Sequence, residues 1–251
     1  MNLEELKATW MKAEAQLFRG WDFSYLKGRW EDEALPWDYA ALVQAYREDN
    51  MKLLDMGTGG GEFLLSLGHP YGLTTVTEAY QPNIDLCLKT LAPLGINVVG
   101  VEEDSNLAIE NDFLDLVINR HESYDPEELG RILKSKGIFI TQQIGCKNNE
   151  QMSKFLIPGF ESEFPEQRVE AAEKKLEAAG FEILRAEEYY PYLRFYDVGA
   201  LVYFAKIIEW EFPGFTVENS FHKLLELHRR IEAQGLIESL EHRYLIIARK
   251  K

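Results

Sequence analysis

A strand that runs straight into glycines most limits what this chain can fold into. Met51-Lys52-Leu53-Leu54-Asp55-Met56 reads as a short strand, Gly57-Thr58-Gly59-Gly60-Gly61 as a turn, and Glu62-Phe63-Leu64-Leu65-Ser66-Leu67 as the opening of a helix. Glycines let backbone N–H groups approach a ligand, and a helix start favours negative or polar groups, so this is a nucleotide-binding arrangement. Spacing narrows the ligand. A dinucleotide fingerprint G-x-G-x-x-G starting at Gly57 needs glycine where Glu62 stands, and one starting at Gly59 needs glycine where Leu64 stands. The Gly-Lys-Ser/Thr ending of a P-loop is absent. What remains is Asp55-x-Gly57-x-Gly59-x-Gly61.

Further strands are predicted at Leu73–Glu78, Ile96–Val101, Phe113–Asn119, Gly137–Gln143, Phe181–Ala186 and Arg243–Arg249. Helices are predicted at Asn83–Leu91 and from Asp125 to about Lys136. In the latter, Asp125 is the N-cap, Pro126 takes the first helical position, Glu128 completes a capping-box spacing and Gly137 is the stop. This alternation predicts a parallel sheet with helices on both faces. Before it, residues 1 to about 20 read as a helix with Leu3, Leu6, Trp10, Ala13 and Leu17 on one face. An aromatic run that includes Trp21, Trp30 and Trp37 follows, then a helix from Tyr39 to Tyr46. Beyond residue 145, helices are predicted at Pro165–Ala179, Val198–Trp210 and Phe221–Gln234.

Composition excludes several classes. The 251 residues are 46% hydrophobic and 27% charged, as in globular proteins. The net charge of −15 disfavours a protein that neutralises bulk nucleic-acid phosphate. Two cysteines, Cys87 and Cys146, form no CxxC, and His121-Glu122 lacks the second histidine of HExxH, so no disulfide framework and no metal site is expected. The most apolar stretch, Val198–Ile208, ends at Glu209, short of the ~20 residues of a membrane span. No signal-type apolar segment opens the chain, so the expectation is a cytoplasmic protein without membrane partners.

The segment Leu53–Phe63 resembles motif I of the class I S-adenosylmethionine (SAM)-dependent methyltransferases. Glu78 resembles the acid at the end of the family's second strand. Phe113-Leu114-Asp115-Leu116-Val117-Ile118 is similar to its fourth strand, and Glu128–Ile140 to its helix-to-strand step. The likeness covers roughly residues 50 to 145, and the nearest subgroup is the bacterial methyltransferase type 11-like proteins. It implies an α/β Rossmann-like fold with a mostly parallel seven-stranded sheet, a helical N-terminal cap and a helical insertion near the C-terminus. The corresponding division is a cap at 1–48, a SAM-binding core at 49–188, a helical lid at 189–241 and a final core strand at 242–251.

The resemblance also implies roles. Asp55 orients the loop or reaches the ligand's methionine amino group. Gly57, Thr58, Gly59 and Gly61 let the backbone pass close to it, and Glu78 accepts from both ribose hydroxyls. Glu103 or Asp104 accepts from the adenine amine, with the register open. At the end of the fourth strand, Asn119 contacts the cofactor, His121 is a candidate base and Arg120 a candidate holder of an anionic substrate group; capping of the strand is the equal alternative. Substrate-side candidates are Gln142, the aromatic residues Trp30, Trp37 and Tyr39, and Tyr192, Arg194 and Tyr196 in the insertion. For the aromatic residues, packing of the N-terminal segment is the favoured alternative. The expected function is in-line methyl transfer from SAM to a small molecule, leaving S-adenosylhomocysteine (SAH). The rival readings are an RNA base methyltransferase, ranked lower by the acidic charge, and a SAM-binding protein without turnover. A monomer and a homodimer both stay open.

Overall fold

The computed structural model describes residues 2–18 and 22–251, so Trp21 lies outside the described residues; the first helix, expected to about residue 20, ends at Glu14. The chain divides into two compact units, each built from three separate segments.

The first unit holds residues up to Leu35, Gly145–Glu166 and Tyr189–Arg243. Helix α1 (Leu3–Glu14) starts at a reciprocal cap: Asn2 Oδ1 accepts from the Glu5 N–H and the Glu5 carboxylate from the Asn2 N–H, both at 2.9 Å. Leu6, Trp10 and Ala13 are buried as their spacing predicts, whereas Leu3 and Leu17 are 56% and 75% exposed. The apolar stretch forms α8 (Val198–Ile207), packed against α1, with α6 (Glu150–Leu156) and α9 (Val217–Gln234) completing the core. The purely helical expectation needs correction, because an antiparallel sheet of β1 (Trp30–Asp32), β8 (Tyr192–Phe195) and β9 (Ile237–Leu240) runs through this unit. Runs this short carry too few alternations to register as a period of two.

The second unit holds Pro36–Ile144, Gln167–Glu188 and Tyr244–Lys251. Its strands are β2 (Leu53–Met56), β3 (Thr74–Glu78), β4 (Asn97–Gly100), β5 (Leu114–Arg120), β6 (Leu133–Ile144), β7 (Phe181–Tyr189) and β10 (Arg243–Lys250). They form the expected mostly parallel seven-stranded sheet, in the order β4-β3-β2-β5-β6-β10-β7. Helices α2 (Tyr39–Tyr46), α3 (Glu62–Ser66), α4 (Gln81–Thr90), α5 (Pro126–Ile132) and α7 (Val169–Ala178) accompany it. Central strands read as unbroken apolar runs because both faces are covered: every residue of β2 is buried, and Leu54, Val117, Phe139 and Ile246 share one core.

Helix α5 ends at Ile132 rather than near Lys136. The backbone N–H groups of Asp112 and Phe113 take the Arg131 and Ile132 carbonyls, and Leu133 already pairs with Leu114. The expected capping box is only half formed. Asp125 accepts from the Glu128 N–H, but the Glu128 carboxylate is spent on Arg131 and the Leu107 N–H. Asp115 is a fold residue, accepting from the Lys52 N–H at 2.8 Å and from Lys134 at 2.7 Å.

After β2 the chain runs outward to β3 and β4, then returns to β5 on the other side of β2. Strand order reverses there, leaving a crevice beyond the carboxyl ends of β2 and β5. The glycine turn opens into it.

Candidate functional site

The turn holds its shape through three left-handed glycines: φ is +65° at Gly57, +60° at Gly59 and +83° at Gly61. A side chain at Gly57 would also collide with Glu122, and one at Gly61 with Leu91. Asp55, the third residue of β2, accepts from Thr58 Oγ1 at 2.7 Å and so braces the turn from below. Burial pushes its carboxyl up to about 7. Thr58 and the charge of Arg120 work against that shift, and Glu78 adds to it. Glu78 ends β3, buried, and accepts from the Gly59 N–H at 2.5 Å. The Cys87 thiol of α4 donates to the Gly59 carbonyl, and burial pushes that thiol up to about 11. It supports the loop as a neutral group.

Beside the turn lies a small, partly open cleft lined by Met56, Gly57, Thr77, Glu78, Ala79, Val101, Asp104, Leu107 and Glu122. Of Glu103 and Asp104, Asp104 lines the cleft, while Glu103 is exposed. The loop carrying Asp104 is clamped from α5. Glu128 accepts from the Leu107 N–H at 2.6 Å, and Arg131 donates to the Leu107 and Ile109 carbonyls at 3.0 and 2.8 Å.

Asn119, expected against the cofactor, is wholly buried. Its Oδ1 accepts from Thr141 Oγ1 at 3.0 Å and Gln143 Nε2 at 2.6 Å, so it ties β5 to β6 and holds the turn that follows. Trp37 and Tyr39 are buried too. The Tyr39 hydroxyl accepts from the Asn119 N–H at 3.1 Å and lies 3.0 and 3.2 Å from the Asn119 and Ile140 carbonyls, bridging the two strands. These residues hold strand ends in register, which agrees with the packing alternative for the aromatic segment.

Trp37, Gln142 and His121 form a chain with one consistent set of proton positions. Indole Nε1 can only donate, so the Gln142 oxygen faces it, at 2.8 Å. The Gln142 amide nitrogen then faces His121 Nε2 at 3.2 Å and donates to it. Neutral His121 therefore keeps its proton on Nδ1, and its Nε2 lone pair is engaged. That is a poor arrangement for a base acting at Nε2. Arg120 is exposed beside it, its guanidinium 4.4 Å over the Phe63 ring.

The remaining candidates gather in the first unit. Trp30 stacks on Phe23 with centroids 5.6 Å apart. Tyr192 and Tyr196 donate their hydroxyls to the two oxygens of Glu31, at 3.0 and 2.5 Å. Arg194 pairs with Glu238 at 2.8 Å and covers the Tyr192 ring. No trio of metal-ligating side chains occurs among the described residues. His69 is structural, its ring bonded to the Met51 carbonyl and Arg47. His228 is half-buried against Trp10. Sequence reasoning missed Glu122 as a lining residue. Its signal was positional: β5 pairs with β2, with Met56 opposite Asn119, so residues just past β5 must flank the glycine turn.

No family model matches the chain, and no curated protein matches it. Solved structures do. A Bacillus halodurans C-125 protein whose name proposes a methyltransferase is 16% identical with a TM-score of 0.54, covering 85% of this chain and 98% of that one. The YcgJ protein of Bacillus subtilis is 13% identical with a TM-score of 0.55, again covering 85% and 98%. The [4+2]-cyclase SpnF is 16% identical with a TM-score of 0.50, covering 84% and 80%. The chain thus has the Rossmann-like class I methyltransferase fold. That SpnF carries it as well shows that this fold is compatible with other chemistry, so the reaction has to be argued from the site.

Proposed function

We propose that the chain is a SAM-dependent methyltransferase acting on a small molecule. The observation that carries this reading is the character of the cleft. Acceptor-only carboxylates, Glu78 and Asp104, stand over an apolar floor of Met56, Val101 and Leu107, and no lysine or arginine is among the lining residues. Such a donor set suits a neutral diol, an amine and a cationic tail. It opposes a pyrophosphate, as does the glycine spacing. Glu78 would hold the ribose, Asp104 the adenine amine, and the left-handed glycines the main-chain approach, with Asp55 fixing the loop from beneath.

Bound there, SAM supplies an electrophilic methyl carbon. The chain's own task is alignment and exclusion of water, which suits an in-line transfer without a covalent enzyme intermediate. Arg120, exposed at the end of β5, would hold an anionic group of the acceptor. Acceptors that bring their own lone pair need no base at their reacting atom. The net charge of −15 supports a small molecule over RNA.

The test is incubation with methyl-labelled SAM against metabolite extracts and, separately, cellular RNA. Label in the small-molecule fraction is the expected result. Label in RNA would move the acceptor to the rival class, and SAM binding without any transfer would leave a SAM-binding protein.

A further inference from the structure

One carboxylate in the cleft has no evident task in the fold. Glu122 follows His121, whose φ of +64° turns the chain out of β5. The main chain here is anchored: the Glu122 carbonyl accepts from Gln143 Nε2 at 2.8 Å. The side chain is not. Its hydrogen bonds among the described residues are to Ser123 alone, from N and Oγ at 3.3 and 3.4 Å, both long.

Yet its position is well defined. Glu122 Oε2, Cγ and Cβ lie 2.5, 2.6 and 2.7 Å from where a Cβ on Gly57 would stand. The carboxylate lies flat on the first glycine of the turn, and only glycine leaves room for it. It shares the cleft with Glu78 of β3 and Asp104 of the clamped loop. Burial raises its proton affinity; the Ser123 N–H works against this, while the Glu78 and Asp104 charges add to it. Like charges are gathered here, and the nearby cation, Arg120, lies over Phe63. A positive ligand relieves this arrangement; a neutral one leaves it standing.

We infer that Glu122 is a specificity-determining residue that selects the ligand of this cleft by positive charge, favouring the sulfonium SAM over the neutral thioether SAH left when the methyl group departs. The inference rests on reading the cleft as a SAM site. Its logic is chemical. SAM and SAH share adenine, ribose and amino-acid ends, so a group that reads any of those cannot tell them apart. Only a group that reads the methyl or the positive charge at sulfur can, and a carboxylate reads charge. Glu122 is half-buried beside the turn, where a charge is screened less than at an open surface. Glu78, assigned to the ribose, sees the same diol in both.

The experiment is calorimetric titration of the wild type, Glu122→Gln and Glu78→Gln with three ligands: SAM, SAH, and an analogue bearing a protonated amine in place of the sulfonium methyl. Glu122→Gln should weaken SAM and the amine analogue by about tenfold while moving SAH by less than about twofold. Its retained SAH affinity is the folding control. Glu78→Gln should weaken all three by similar factors. An unchanged SAM-to-SAH ratio in Glu122→Gln overturns the inference and leaves the site reading standing. Failure of the wild type to bind either SAM or SAH overturns both.

Discussion

Acidic residues on the small sheet of the first unit and in the glycine cleft of the second are treated differently. On the small sheet, exposed Asp32 apart, the carboxylates are answered. Glu31 receives two tyrosine hydroxyls, Glu33 receives the Tyr189 hydroxyl and the Tyr192 N–H, and Glu238 receives Arg194. Even Glu211, buried and pushed up to about 7, has both oxygens met, by the amides of Asn148 and Asn149. In the glycine cleft of the second unit, Glu78, Asp104 and Glu122 line one wall set without a basic residue among them. Burial is therefore not what separates the two regions. In the cleft Glu78 takes the Gly59 N–H and Glu122 only Ser123, and no basic lining residue answers the charge they share with Asp104.

The most drastic way to break this contrast is to fill the turn. Gly57→Val puts a branched side chain at φ +65° and 2.5 Å from Glu122 Oε2. It should weaken SAM binding by about a hundredfold or more. Gly214→Val, in the first unit at φ +67° with open space around it, is the matched control. That change should cost about 1–2 kcal/mol of stability as backbone strain and leave SAM affinity within about twofold. Chemical denaturation and calorimetry read both.

Next in size is Glu78→Ala, expected to weaken SAM by about thirtyfold with the fold intact. Glu31→Ala should do the reverse, lowering the melting temperature through two lost tyrosine bonds without touching SAM affinity. Equal effects of the two on binding would erase the distinction.

A smaller effect concerns pH. Asp55 and Glu211 titrate near 7 in the folded chain, against about 4 when unfolded. The folded state therefore holds more protons across that window, and stability falls as pH rises through it. Each group should contribute roughly 1–2 kcal/mol of loss between pH 5 and 7. Asp55→Asn and Glu211→Gln should each flatten part of the slope in denaturation curves. A slope that neither change alters would show that these carboxyls ionise normally.

The smallest effect tests the proton arrangement at His121. Trp37→Phe removes the donor that fixes the Gln142 amide and should cost about 1 kcal/mol. Ring-nitrogen NMR of His121 should show Nδ1 protonated in the wild type and a mixture of tautomers in the variant. An Nε2-protonated wild type would restore His121 as a candidate base.

How much of this was legible beforehand follows from range. The glycine turn is legible because strand, turn and helix are contiguous and a positive φ calls for glycine, whereas Asp55 and Glu78 are singled out only through the family resemblance. The core strands were readable because full burial leaves unbroken apolar runs. The small sheet was not, since β1, β8 and β9 are short and pair across 160 residues or more of sequence for β1 with β8. Glu122 was quoted only as a neighbour of His121, because its role depends on lying against Gly57, a contact that only β2–β5 pairing creates. For Asn119, Trp37 and Tyr39 the sequence leaves both uses open, with packing favoured for the two aromatic residues, because polar and aromatic residues at strand ends serve packing and binding alike. Their hydrogen-bond partners separate the two uses.

The claim beneath all of these is that the acidic glycine cleft takes SAM rather than a dinucleotide. Isothermal titration of the wild-type chain with SAM and, in a separate run, with NAD tests it directly. The account predicts saturable one-to-one binding of SAM and no detectable heat with NAD; NAD binding in preference to SAM would contradict it.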